Sequence, residues 1–225
     1  MNKSHAALLT CSLLLGGCDA LQFQALKAYM AVEKGLSVDS GPVTLTSQAQ
    51  DFRVVALSDE LEFPWGLDFL PDGRLLVTEK PGRLRIFDPA SGASQMISGV
   101  PEVYYKGQGG LLDVVLHPDF KDNGWLYLSA SVSLDEQMRT TKVWRFRLDG
   151  TQLREQLDIF EATPAFDTSK HFGSALLFDN DGYLFFTMGE RGQRYLSQDL
   201  STAMGKVFRL HDVGSVPDDN PVVDR

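Results

Sequence analysis

Residues 174–189 read SALLFDNDGYLFFTMG, two short apolar runs hinged on an acidic stretch that ends in Asp181-Gly182. Each run is too short for a typical globular helix and is bounded by turn-forming residues, so each reads as a strand. Asp-Gly favours a tight turn, because glycine reaches positive φ with no Cβ to clash. The same grammar occurs twice more, in GLDFLPDGRLLVTE (66–79) around Asp72-Gly73 and in LDVVLHPDFKDNGWLYLS (112–129) around Asn123-Gly124. Further strand arms follow the first two units, GRLRIFD (82–88) and KVWRFRLDG (142–150), and GKVFRLHD (205–212) closes the third.

The repeating unit is a four-stranded meander of roughly 45 to 60 residues, the size of a β-propeller blade with loop insertions. The expected fold class is all-β, a β-propeller with about three blades at residues 51–100, 101–160 and 161–225. Three blades do not close a ring: an open array leaves a sheet face and a strand edge uncovered. The pattern therefore reads as about half of a larger propeller, either short relative to its relatives or finished by a partner.

Composition agrees with a packed domain. With 43% hydrophobic and 10% aromatic residues in 225, the chain can bury a sizeable core. Thirty acidic against 21 basic residues give a formal charge of −9, which disfavours nucleic-acid binding, and the sequence shows no cluster of basic residues. Lys80, Arg83 and Arg85 alternate with apolar residues and read as a solvated strand face.

The amino terminus reads as processing signal. Lys3 precedes the apolar stretch Ala6–Leu15, and Leu15-Gly16-Gly17-Cys18 resembles a bacterial lipobox. Residues 1–17 are then a lipoprotein signal peptide, with Cys18 as the lipidation site tying the mature chain to a membrane. The expected place is the periplasmic side of a bacterial membrane, and Asp19 points to the inner one. Cys11 leaves with the signal and Cys18 is blocked, so no disulfide is expected. Residues 18–50 read as anchor, a short amphipathic helix over 21–36, and linker.

Four strings in order carry a family resemblance: PWGLDFLPDGRLLVTEKPGRL (64–84), GQGGLLDVVLHPDFKDNGWLYLS (107–129), HFGSALLFDNDGYLFFTMGE (171–190) and QDLSTAMGKVFRLHDVGSVPDDNP (198–221). Together they resemble the soluble aldose sugar dehydrogenases that depend on pyrroloquinoline quinone (PQQ), relatives of glucose/sorbosone dehydrogenases. The resemblance implies a six-bladed propeller that holds PQQ on one face, calcium supporting the cofactor, and an aldose sugar as substrate. The electron acceptor leaves no signature.

On this resemblance His171 is the general base and Gln108 a cofactor contact. Oxidation at an anomeric carbon needs a hydroxyl proton removed as hydride leaves, and imidazole titrates near neutrality. Gly173 and Ser174 would let backbone approach a flat ligand. The bland alternatives are a histidine that hydrogen-bonds a strand end and a glycine-rich interblade turn. The GQGG turn (107–110) has no P-loop lysine-serine after it, so it does not read as a nucleotide site.

Other polar residues carry less. His117, before Pro118, reads as structural; Glu190 and Arg191 could orient His171 or attract a cofactor carboxylate, or form an ordinary ion pair. Asp218, Asp219 and Asn220 offer hard oxygens without a calcium-loop spacing, and no histidine pair has zinc spacing. Two departures from the family count against activity. Ala175 stands where relatives commonly carry arginine, and the later arginine-asparagine pair, calcium ligands and cationic quinone contacts are not in these 225 residues. Two other classes thus stay open: a catalytically inactive, lipid-anchored partial propeller that binds sugar or protein, and a calcium-dependent lactonase-type propeller.

Overall fold

A computed structural model describes residues 41–221. The signal peptide, Cys18 and the 21–36 helix lie outside the described residues. The chain divides into two compact units, residues 1–59 and 60–225. In the first, β1 (Val43–Thr46) pairs antiparallel with β2 (Asp51–Val54), so a hairpin straddles residues 50 and 51, where the sequence reading ends its linker.

Among the described residues the second unit is built of three antiparallel sheets. The first runs β3 (Pro64–Phe69), β4 (Leu75–Glu79), β5 (Arg83–Phe87), β6 (Ser94–Ile97), and the second β7 (Leu111–Leu116), β8 (Trp125–Ser133), β9 (Arg139–Asp149), β10 (Gln152–Glu161). Among the described residues the third holds β11 (Gly173–Phe178), β12 (Leu184–Met188) and β13 (Val207–Leu210). The glycines of the repeated turns adopt positive φ as expected: 89° at Gly73, 70° at Gly124 and 82° at Gly182. In the second unit the turn is enlarged by a helical turn, α1 (Phe120–Asn123), which Gly124 ends in left-handed conformation.

Alternation along each strand decides what stacks on what. On β8, Leu126, Leu128 and Ala130 point to the first sheet and pack with Leu76, Leu84 and Ile86, while Tyr127 points the other way and packs with Leu184 and Phe186 of the third. Sheet two is therefore apolar on both faces, and each such leucine contributes about 1.5–3 kcal/mol by leaving water. The architecture is an open stack of three propeller blades.

A hydrogen-bond device repeats between the sheets. Each innermost strand carries a bulge, between Pro64 and Leu67, Leu111 and Val114, and Gly173 and Leu176. A bulge N–H donates to a hydroxyl on the next strand of its own sheet: Gly66 to Thr78 Oγ1 at 2.8 Å, Asp113 to Ser129 Oγ at 3.0 Å, Ala175 to Thr187 Oγ1 at 3.2 Å. The hydroxyl then donates to a bulge carbonyl of the following sheet, Thr78 to Leu112 O at 2.5 Å and Ser129 to Ser174 O at 2.8 Å. Thr187 has no such acceptor among the described residues.

The two end faces of the stack differ from its interior. On sheet one Trp65, Leu67 and Phe69 are exposed, and on sheet three Leu177 and Val207. Leu177 and Val207, with Ala175, Phe185 and Thr187, line an apolar groove of about 300 Å³. Arg83 and Arg85 are not a simple solvated face: their Nε atoms bond the same oxygen of Glu79, at 2.8 and 2.7 Å, and the Glu79 side chain is wholly buried. Burial works to raise the Glu79 pKa, but the two guanidinium bonds and the Glu62 N–H outweigh it and bring it down to about 2.

Candidate active site

The stretch Thr168–Ser174 leads into β11, and Gly189–Gly192 follows β12; antiparallel pairing lays one against the other. The contact is backbone on backbone. A Cβ at Gly189 would lie 2.0 Å from His171 O, and one at Gly173 would lie 2.4 Å from Gly189 N, so neither position accepts a side chain. His171, Ser174 and Arg191 all hold left-handed backbone, with φ of 54°, 85° and 57°. Such conformations cost non-glycine residues about 1–2 kcal/mol each, and they persist where surrounding bonds over-determine them.

Those bonds are present. The His171 N–H donates to Gln108 Oε1 at 2.8 Å, and the Gln108 N–H donates to Ser169 O at 2.8 Å. The Arg191 N–H donates to His171 O at 3.3 Å, and Thr141 Oγ1 donates to Phe172 O at 3.0 Å. Gln108 and His171, 63 positions apart, thus share one site at the head of the second and third inner strands. The structure also assigns the two ends of the Gln108 amide. Its oxygen is committed to the His171 backbone, and its nitrogen has no partner among the described residues.

The imidazole is 42% exposed, so it is not wedged among apolar side chains. Its Nδ1 hydrogen-bonds Glu190 Oε1. That bond, more than any other influence, holds the Glu190 carboxyl below its ordinary value. An ionised carboxylate at Nδ1 makes that nitrogen the donor, so in the neutral ring it is Nε2 that carries the lone pair. The Gly192 N–H also donates to Glu190 Oε1, at 3.2 Å, and fixes the carboxylate.

Arg191 is bonded through one guanidinium nitrogen, while its Nε and Nη1 are buried with no partner among the described residues. It is 1% exposed, its Nη2 donates to Thr168 O at 2.6 Å, and its guanidinium lies 3.4 Å from the Phe172 ring centroid. Burial pulls its pKa down to about 10. It braces the turn that presents His171 from beneath, through Thr168, His171 and Phe172. Lys80, read from sequence as a strand-face cation, donates to Gly107 O at 2.9 Å and so pins the Gln108 turn; a cation at the end of a strand gives no signal of that contact.

The remaining candidates are structural. His117 Nδ1 accepts the Asp119 N–H at 3.0 Å, as expected of a turn residue. Asp219 and Asn220 accept from Arg209 at 2.7 and 2.9 Å, which engages two of the three residues considered for calcium. Among the described residues no three His, Cys, Asp or Glu side chains converge on a metal position. Ala175 faces the apolar groove on the open face of sheet three, in company with Leu177 and Val207.

The model of the family described as glucose/sorbosone dehydrogenase matches residues 61–225. The chain belongs to that family. It is 44% identical over 174 residues to the aldose sugar dehydrogenase YliI of Escherichia coli K12, covering 76% of this chain and 47% of that protein. Quinoprotein glucose dehydrogenase B of Acinetobacter calcoaceticus is 27% identical over 204 residues, 78% of this chain and 42% of its own. The PQQ-bound form of an aldose sugar dehydrogenase from Streptomyces coelicolor superposes with a TM-score of 0.67 at 30% identity, over 74% of this chain and 49% of that one. This chain spans about half the length of these relatives.

Proposed function

We propose that this chain is the amino-terminal half of a PQQ-dependent aldose dehydrogenase that oxidises sugars to lactones. One observation carries the reading: an exposed imidazole whose Nδ1 is held by an ionised Glu190 and whose backbone is held by Gln108. The residues present fit one edge of a flat, oxygen-rich quinone, since the Gln108 amide nitrogen offers a donor beside that imidazole. When bound, the quinone accepts the hydride from the sugar's anomeric carbon. His171 Nε2 takes the proton of the anomeric hydroxyl, and the Glu190 carboxylate stabilises the imidazolium that forms. Gln108 and Arg191 keep the turn from relaxing as the charge changes. The residues described do not fit a calcium site, and no step here passes through calcium.

The family membership and the PQQ-bound relative support the cofactor, and the lipobox string ending in Cys18 supports anchoring on the periplasmic side of a membrane. The decisive experiment adds quinone to the longest natural form of the protein and follows dye-linked aldose oxidation. Activity is expected and His171→Ala should abolish it; activity that survives His171→Ala removes the proposed base. Metabolic labelling with a radioactive fatty acid tests the anchor, and label that persists in Cys18→Ala refutes it.

A further inference from the structure

We propose that Lys80 is a positioning residue: it locks the peptide plane in front of Gln108 and so sets how tightly the site holds its quinone. The lock is made of bonds present between the described segments, and its effect on affinity rests on the reading of Gln108 as a cofactor contact. Gly107 C=O and Gln108 N–H are the two ends of one rigid, planar peptide unit. Each end is held from a different side. The Lys80 ammonium, just past β4 of sheet one, donates to Gly107 O at 2.9 Å, while Ser169 O, ahead of β11 of sheet three, accepts the Gln108 N–H at 2.8 Å.

The plane needs both holds because of the residue before it. Gly107 has a φ of 59°, and a Cβ there would lie 2.7 Å from Ser169 O, so only glycine fits. Glycine restricts the following dihedral least of all residues, so the plane can turn about its Cα–Cα axis once either end is freed. Turning carries the Gln108 nitrogen along and tilts the Cα–Cβ bond that aims the amide at His171 N and at the ligand. The rest of the turn is fixed independently. Gly110 N–H donates to Ser131 Oγ at 2.7 Å, Leu111 N–H donates to Lys80 O at 3.0 Å, and a Cβ at Gly110 would lie 2.2 Å from that same carbonyl oxygen. Lys80 thus meets the turn at both ends, through its carbonyl and through its ammonium, and the soft element left between them is the plane it holds. The consequence falls on binding more than on turnover. A turn that spends only part of its time in the aimed geometry loses affinity by that fraction, and bound quinone draws it back. The bond from His171 Nδ1 to Glu190 does not pass through Gly107.

The test uses the longest natural form of the protein and compares Lys80→Met, which keeps the stem and loses the donors, with Lys80→Arg, which keeps a cation. In Lys80→Met the Gln108 N–H should exchange with solvent about 5- to 10-fold faster, the loss expected of one charge-assisted hydrogen bond. The amide of Leu128, fully buried on β8, should exchange as in wild type and so exclude a general loosening. The quinone dissociation constant, read by fluorescence quenching, should rise by the same factor, while the rate at saturating quinone stays close to wild type. Lys80→Arg should restore both readings. Unchanged exchange at Gln108, unchanged quinone affinity, a rate at saturation that falls as far as the affinity, or an arginine variant no better than the methionine one overturns the proposal. A wild type that binds no quinone removes the cofactor reading and the affinity effect with it, and faster exchange at Gln108 in Lys80→Met then supports the lock by itself.

Discussion

Substituting Gly189 by alanine should break the site from behind without touching a functional side chain. The new Cβ would lie 2.0 Å from His171 O and 2.5 Å from His171 C, both backbone atoms, against an ordinary contact of 3.4 Å or more. Two chain segments must therefore separate by about 1.4 Å, while the β11–β12 register and the Arg191–His171 backbone bond hold them together. Neither neighbour is a flexible side-chain end, so the strain has no cheap outlet, and a loss of about 3 kcal/mol or more is expected. Gly182→Ala is the control, since its φ of 82° disfavours alanine but nothing lies within 4 Å of the added carbon, and about 1–2 kcal/mol should be lost. Urea unfolding of both variants gives the comparison, and imidazole resonances report whether His171 has moved. If Gly189→Ala loses no more than Gly182→Ala, with the His171 resonances in place, the backbone-on-backbone account of this turn is wrong.

Three further outcomes follow from the same geometry. Ser129→Ala removes the acceptor of the Asp113 N–H and the donor to Ser174 O at a fully buried position, so thermal denaturation should show a loss of about 1–3 kcal/mol. Glu79 has its folded pKa lowered from 4.5 to about 2, so its contribution is complete above pH 4.5 and vanishes as pH falls through 2. That is about 3 kcal/mol at most, and acid unfolding of Glu79→Gln should show a flatter dependence in that window than wild type. Gln108→Ala frees the His171 N–H at an exposed site and should cost only about 0.5–1.5 kcal/mol of stability, while quinone binding, read by fluorescence quenching, weakens.

Much of the fold is legible in strings such as GLDFLPDGRLLVTE, because strand alternation and turn glycines are local properties of the backbone. The family is legible too, from four strings in order. Their spacing is silent on the helical turn after Pro118 and on the hairpin across residue 50, since each depends on how a strand meets its partner.

The site divides the same way. The family resemblance made His171 a candidate base and Gln108 a candidate contact, and the residue types suit those roles, because imidazole titrates near neutrality and an amide can donate. Only the tertiary structure joined them, through a bond that commits the amide oxygen to the histidine backbone. It also buried Arg191 against Phe172, where it braces the turn through Thr168, and it set both arginines of β5 on Glu79. Charge and hydrogen-bonding capacity belong to the residue; whether they meet water, a ligand or another side chain is settled by packing between segments far apart in the chain.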